Sequence, residues 1–256
     1  MHGMCASGCE EMNGKLIFSV SGGKDSSAML CRAYELGWEL DEVIFADTKL
    51  EFPEIYQYLH DLEKYTGYKI TRLEPLRNWE DWFYGIPKKG AHAERGGIRG
   101  FPPELLPGCY IRRDSKILPL QRHIGNGNTV CLGFASDEVQ RSRSKAYRCQ
   151  SNDYRFPLIE WGWRERECKR YLERIGMPHP LADIFDRTGC WLCPKQSVKS
   201  LVSLYQYYPE LWKKLKQYEN DAPYSLKREI SLEEVERIAE GKSKVMKLSD
   251  FTDYQR

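Results

Sequence analysis

No run of eighteen apolar residues occurs anywhere in these 256 residues, which excludes a conventional membrane-spanning helix. The opening stretch MHGMCASGCEEMNG lacks the basic flank and unbroken apolar core of a signal peptide, so a cytoplasmic, membrane-free protein is expected. An excess of one charge sign is also lacking. With 39 basic and 37 acidic residues the net charge is only +2, so a nucleic-acid partner must be sought in local clusters rather than in overall composition. No internal repeat, low-complexity tract or clear interdomain linker is visible, which excludes a solenoid and argues for one substantial domain with an extension. Against these absences stand nine cysteines. A reducing compartment disfavours pairing them as disulfides, so those at ligand-like spacing read as metal or cluster ligands.

Apolar runs alternate with helical periodicity along the first half: Leu16 to Val20 strand, Ser26 to Leu36 helix, Glu42 to Ala46 strand, Pro53 to Thr66 helix, Tyr68 to Leu73 strand. This β-α-β-α-β order predicts an α/β fold, a parallel, doubly wound, Rossmann-like sheet with ligands at the carboxyl ends of its strands. Gly85 to Gly108, with Lys88, Lys89, His92, Arg95 and Arg99, reads as a long loop, either a binding loop or a surface excursion. Ser115 to Ile124 reads as helix, Thr129 to Ala135 as a buried strand and Phe156 to Ile159 as a short extended piece. In Arg164 to Ile175, Cys168, Tyr171, Leu172 and Ile175 share one helical face, which makes Cys168 a core residue rather than a ligand. Residues 1–14 are expected to be a mobile N-terminal segment, 15–196 the nucleotide-binding domain, and 197–256 a mainly helical C-terminal extension.

Between the first strand and helix lies Ser19-Val-Ser21-Gly22-Gly23-Lys24-Asp25-Ser26-Ser27. A glycine pair there turns the backbone tightly and exposes consecutive N–H groups, which together with a helix N-terminus cradle an anion. Lys24 adds a point charge, Ser26 and Ser27 can cap the helix or donate to phosphate, and Asp25 can support the loop or help hold magnesium. The alternative is a plain glycine turn with a serine cap, and the spacing departs from Walker A.

Ser21-Gly-Gly-Lys-Asp-Ser26 resembles the PP-loop signature of the adenine-nucleotide α-hydrolase superfamily. Phe45-Ala-Asp-Thr48 followed by Glu51-Phe-Pro-Glu54 is similar to the second-strand motif of its phosphoadenosine phosphosulfate (PAPS) reductase-like branch, with Lys49 where that motif has glycine. Further landmarks follow in order: Gly133-Phe-Ala-Ser-Asp137-Glu138-Val-Gln-Arg141, Phe156-Pro-Leu, Pro180-Leu181 and Cys190-Trp-Leu-Cys193-Pro194. The resemblance implies that Ser19, Ser21, Gly22, Gly23, Lys24, Asp25, Ser26, Ser27, Asp47, Thr48 and Gly133 bind the nucleotide. It implies catalytic roles for Lys24, Asp25, Asp137 and Arg141.

Cys190 and Cys193 present two thiols one turn apart, a spacing that suits zinc or an iron-sulfur cluster; a thioredoxin-like redox pair is the competing reading. Comparison with cluster-bearing adenylylsulfate reductases adds Cys109, in Cys109-Tyr110-Ile-Arg112-Arg113-Asp-Ser-Lys116, where Tyr110 replaces the second cysteine of their pair. Cys149 is the candidate fourth ligand, with a free loop thiol there and an open iron as the alternative. Arg112, Arg113, Lys116, Arg141, Arg143, Lys145 and Arg148 form two basic clusters, read either as solvated faces or as an anion or substrate funnel.

The sequence ends without a cysteine after Cys193, whereas sulfonucleotide reductases carry a nucleophilic cysteine in a C-terminal tail. The expectation is therefore an ATP-dependent adenylating enzyme that forms AMP and pyrophosphate and transfers sulfur, using ATP, Mg2+ and a [4Fe-4S] cluster. The alternatives are a sulfonucleotide reductase or sulfotransferase, and a non-catalytic nucleotide-binding module with structural zinc. Expected partners are an adenine nucleotide, a nucleic-acid or small-molecule acceptor and a sulfur donor protein, with a homodimer left open.

Overall fold

The computed structural model describes residues 14–86, 89, 97–104, 108–144, 147 and 151–242. Cys149, Lys145, Arg148 and the N-terminal segment before Gly14 lie outside the described residues.

Strands β1 (Leu16–Val20), β2 (Glu42–Ala46), β3 (Ile70–Leu73), β4 (Thr129–Leu132) and β5 (Asp153–Arg155) form one sheet in the order β3-β2-β1-β4-β5. Every pairing is parallel. The central strands are covered on both faces, which explains why LIFSV, EVIFA and TVCL are nearly continuous apolar runs rather than alternating ones. Phe18 and Phe45 are fully buried, and each contributes roughly 1.5–3 kcal/mol by leaving water.

Helices α1 (Lys24–Glu35) and α2 (Pro53–Thr66) link β1 to β2 and β2 to β3, and α1 packs on both α2 and α5 (Glu165–Arg174). After β3 the chain returns past β1 to start β4. Right-handed crossovers place this return on the opposite face. It carries α3 (Trp79–Phe83) and a helical stretch, α4, formed by Tyr110–Arg112, a π-helical Arg113–Ile117 and Leu118–Ile124. The order of strands therefore reverses beside β1, and the crevice between the loops after β1 and β4 is the topological switch point where such sheets bind ligands. Helices α6 (Val198–Tyr207), α7 (Pro209–Asp221) and α8 (Leu232–Ala239) form the C-terminal part, joined to the body where Phe52 packs on Phe185 and Tyr208.

Three local expectations need correction. Phe156 to Ile159 is not extended: Pro157–Glu160 is a helical turn, since Pro157 opens a helix readily at its first position, and the edge strand is the preceding Asp153–Arg155. Helix α4 begins five residues before Ser115, because the Cys109 sulfur accepts the Arg112 N–H and caps it. Strand β4 stops at Leu132, short of Ala135.

Candidate functional site

The loop from Ser21 to Lys24 is folded around its own hydroxyls. The Ser21 N–H donates to Ser26 Oγ at 3.0 Å, the Gly23 N–H leans on Ser21 Oγ at 3.4 Å, and both Ser26 and Ser27 hydroxyls donate to the Gly23 carbonyl at 3.0 Å. Ser26 and Ser27 are buried and so lock the turn from beneath. Ser19 lies within β1, half-buried, two residues before the loop. Gly22 has φ +73°, and a Cβ there would stand 2.6 Å from Ile55 Cγ2, so neither backbone nor space admits a side chain. At Gly133, just past β4, a Cβ would stand 2.6 Å from Ser26 Cα. Glycine at that position is what lets β4 approach the N-terminus of α1.

Two residues that the sequence reading passed over hold this loop. His179, buried, sits with Nε2 2.9 Å from the Gly22 carbonyl, while its Nδ1 is 3.2 Å from the Leu181 N–H. The Leu181 N–H needs an acceptor, so the hydrogen-bond pattern assigns Nδ1 as the acceptor and Nε2–H as the donor to Gly22. Burial pushes the imidazole pKa down to about 4, keeping it neutral. Glu165, at the start of α5, receives the Lys24 ammonium at 2.6 Å, and Asp25 stands 3.4 Å from the same nitrogen. Neither could be found by local pattern, because the contacts span 141 and 157 residues of chain.

Asp25 is drawn up to about 6, first by burial, with the Glu165 charge adding to it and Lys24 opposing. Its Oδ1 is buried without a partner among the described residues, and Asp25, Glu138 and Glu165 gather their oxygens within 4.8 Å of one another. Such an oxygen-only group fits a hard cation such as magnesium. Asp137 accepts the Glu165 N–H through both carboxylate oxygens at 3.4 Å, and thereby positions the partner of Lys24. Arg141 is held by Glu138 at 2.5 Å and lies 4.3 Å over the Phe134 ring, while Arg143 is exposed. Cys168 is fully buried, as its helical face predicts.

At the end of β2, Asp47 is buried and accepts from Tyr56 and from the Lys49 N–H. Lys49 has φ +61°, a backbone that favours glycine, and its ammonium returns to Asp47 at 3.0 Å. Thr48 donates to Glu51 at 3.0 Å, and the Cys190 thiol lies 3.8 Å from Thr48 Oγ1. Lys116 joins Glu51 at 3.0 Å and carries positive charge beside Cys190.

Cys190 and Cys193 share one turn, the Cys193 N–H donating to the Cys190 carbonyl at 3.0 Å. Burial raises both thiols, Cys190 to about 12, and the nearby Cys109 sulfur raises Cys193 further. The segment carrying them spans the site: Thr188 Oγ1 lies where a Gly23 Cβ would meet it at 3.4 Å, and the Trp191 N–H donates to the Leu50 carbonyl at 3.1 Å. From the C-terminal part Lys227 reaches back to the Pro194 and Gln196 carbonyls at 2.9 and 3.1 Å and pairs with Glu104. Thus the thiol segment is clamped over the crevice from both ends.

Cys109, Cys190 and Cys193 supply three soft sulfur donors, but they do not draw within 4.8 Å of one another as a group. Such a donor set suits either a zinc ion or an iron-sulfur cluster. The basic residues of α4 divide: Lys116 faces the thiols, Arg112 is exposed, and Arg113 pairs with Asp114 at 2.8 Å.

No described helix is long and apolar enough to cross a membrane. The chain is 28% identical over 218 residues to MJ0066, an uncharacterized protein of Methanocaldococcus jannaschii, covering 80% of this chain and 41% of that protein. It is 24% identical over 248 residues to MJ0973 of the same organism, covering 92% and 58%; it thus spans about half the length of these two relatives. Adenosine 5'-phosphosulfate reductase 1 of Bacillus subtilis is 24% identical over 186 residues, covering 70% of this chain and 73% of that enzyme. Among solved structures, a phosphate complex of phosphoadenylyl-sulfate reductase from Candida auris aligns with TM-score 0.48 and 17% identity, over 69% of this chain and 81% of that one. The phosphoadenosine phosphosulfate reductase domain model matches residues 15–196, from the start of β1 through the thiol segment, and the chain belongs to that family.

Proposed function

We propose that this protein is an ATP-using PP-loop enzyme that adenylates an acceptor and replaces the activated oxygen with sulfur. The observation that supports this most is the Cys190 thiol beside Thr48 at the end of β2, on a segment whose Thr188 also abuts Gly23. It brings sulfur chemistry to the edge of a phosphate cradle. In this reading Lys24 leaves Glu165 and Asp25 for the nucleotide phosphates, and the carboxylates of Asp25, Glu138 and Glu165 would hold a magnesium ion, which supplies further positive charge to the phosphates. An acceptor oxygen attacks the α-phosphorus and pyrophosphate leaves with the electrons of the α–β bridge. The loop amides and Lys24 stabilise charge on the phosphates. A sulfur nucleophile then attacks the activated carbon and AMP departs. Cys109, Cys190 and Cys193 would hold an iron-sulfur cluster, which supplies a site for binding sulfide. His179 keeps the Gly22 carbonyl turned inward, so that the loop N–H groups face the phosphates.

A second reading, reduction of adenylyl sulfate, is favoured by the two Bacillus relatives named as adenosine 5'-phosphosulfate reductases, 24% and 26% identical. Calorimetric titration separates the two. Adenylation predicts Mg-ATP binding that Lys24→Ala weakens at least tenfold; tighter binding of adenylyl sulfate, with sulfite released on adding a thiol reductant, would establish the reductase instead.

A further inference from the structure

Around Trp82, on α3, three guanidinium groups converge: Arg77 at 4.7 Å from the ring centroid, Arg99 at 5.1 Å and Arg113 at 5.5 Å. Arg99 also lies 5.5 Å from the ring of Tyr110, which is itself 6.3 Å from Trp82. Among the described residues only Asp114 forms an ion pair with any of these arginines, and it takes Arg113 through both oxygens. Two positive charges are left without a carboxylate among the described residues. The N–H groups of Trp82 Nε1 and Arg99 Nε are buried with no acceptor among the described residues. Like charges drawn to one ring are unfavourable in isolation, and an oxyanion removes that fault.

We propose that the Trp82 cluster binds the phosphodiester backbone of a polynucleotide and holds it at the thiol site. This deepens the reading above by giving its acceptor a chemical class. Tyr110 directly follows Cys109, and Arg113 belongs to the same helical stretch as Lys116, so the cluster adjoins the sulfur-bearing segment. An indole has two faces, so three guanidiniums cannot have one each, and at least two share a face. The unpaired guanidiniums, not the ring, carry the recognition, unlike an aromatic platform for single strands. Recognition therefore goes through the planar forks of the stacked arginines, which match phosphate oxygens bidentately and carry no sequence information. Exposed Arg112, on the same helical stretch as Arg113 and also without a carboxylate among the described residues, brings the excess to three charges, more than one sulfate or phosphate dianion carries; successive phosphates of one strand meet it.

The test is fluorescence anisotropy of the full chain with two labelled single-stranded RNA oligonucleotides of unrelated sequence, across a range of NaCl concentrations. Log affinity is expected to fall linearly with log salt, and exposed Arg77→Ala to lower the slope by about 0.7 and weaken both RNAs several-fold alike. Arg99→Lys keeps the charge but not the fork, and is expected to weaken binding while the thermal midpoint stays unchanged. Wild-type affinity and slope in both variants would overturn the proposal. So would equal competition by polyglutamate, which would mark an acidic-peptide site, or saturation by inorganic phosphate alone. Titration of wild-type protein with Mg-ATP reports the adenylation reading separately, so that one can fail while the other stands.

Discussion

Replacing Gly133 by alanine adds one methyl group at the tightest approach between β4 and the nucleotide loop. The new Cβ would lie 2.6 Å from Ser26 Cα and 2.9 Å from Ser26 N, against the 3.4 Å where ordinary contact begins. Both opposing atoms are backbone in the first turn of α1, so no side chain can swing aside. The two elements must part by about half an ångström or more, an overpacking that costs roughly 1–3 kcal/mol. For a chain of this size that is a fall in melting temperature of about 2–10 °C. The displacement falls on Ser26, whose hydroxyl carries the Ser21 and Gly23 contacts, so the phosphate cradle opens and ATP affinity drops about tenfold or more, near 1.4 kcal/mol. Calorimetric ATP titration with a thermal melt measures both effects. Gly189→Ala is the control, since its Cβ meets nothing within 4 Å. A Gly133→Ala protein with wild-type melting and ATP affinity would refute this account of the loop.

Three further outcomes follow from the same geometry. Asp25, at about 6 in the folded chain against 3.8 ordinarily, binds more protons folded than unfolded, so its contribution to stability falls as pH rises from about 4 to 6. His179, lowered to about 4 from 6.5, acts oppositely: its contribution is present above pH 6.5 and lost as pH falls towards 4. Denaturant titrations at several pH values should therefore show Asp25→Asn steepening the acid loss of stability, and a variant parallel to wild type would contradict the assignment. Lys24→Ala should weaken ATP binding about 10- to 100-fold while metal and sulfide content stay unchanged, and Cys193→Ser should do the reverse; identical effects would contradict two separate sites. At Lys49, glycine should be about 1 kcal/mol more stable than alanine in urea denaturation, because both lose the Asp47 pair but only glycine accepts φ +61° freely.

The parallel sheet was legible because its strands are buried on both faces, so LIFSV and EVIFA are apolar throughout and alternate with clearly periodic helices. The glycine loop was legible because its chemistry is local, a turn and a cap within seven residues. Glu165, His179 and Lys227 were not, because each acts on residues far away in the chain and its neighbours carry no signal of that. The edge strand β5 was missed for another reason: Asp153–Arg155 is three residues long, exposed at its start, and has too few positions to show a period. Basic residues grouped along the sequence were separated by the fold. Lys116 turns to Glu51 and the thiols, whereas Arg113 turns to Trp82, a difference fixed by which side of α4 each occupies.

The most direct measurement is product analysis by phosphorus NMR, after anaerobic incubation of the full chain with Mg-ATP, sulfide and RNA. The account predicts AMP and pyrophosphate in equal amounts, absent with Lys24→Ala. Formation of ADP and inorganic phosphate, or no cleavage of ATP by a wild-type protein shown to bind it, would contradict the account.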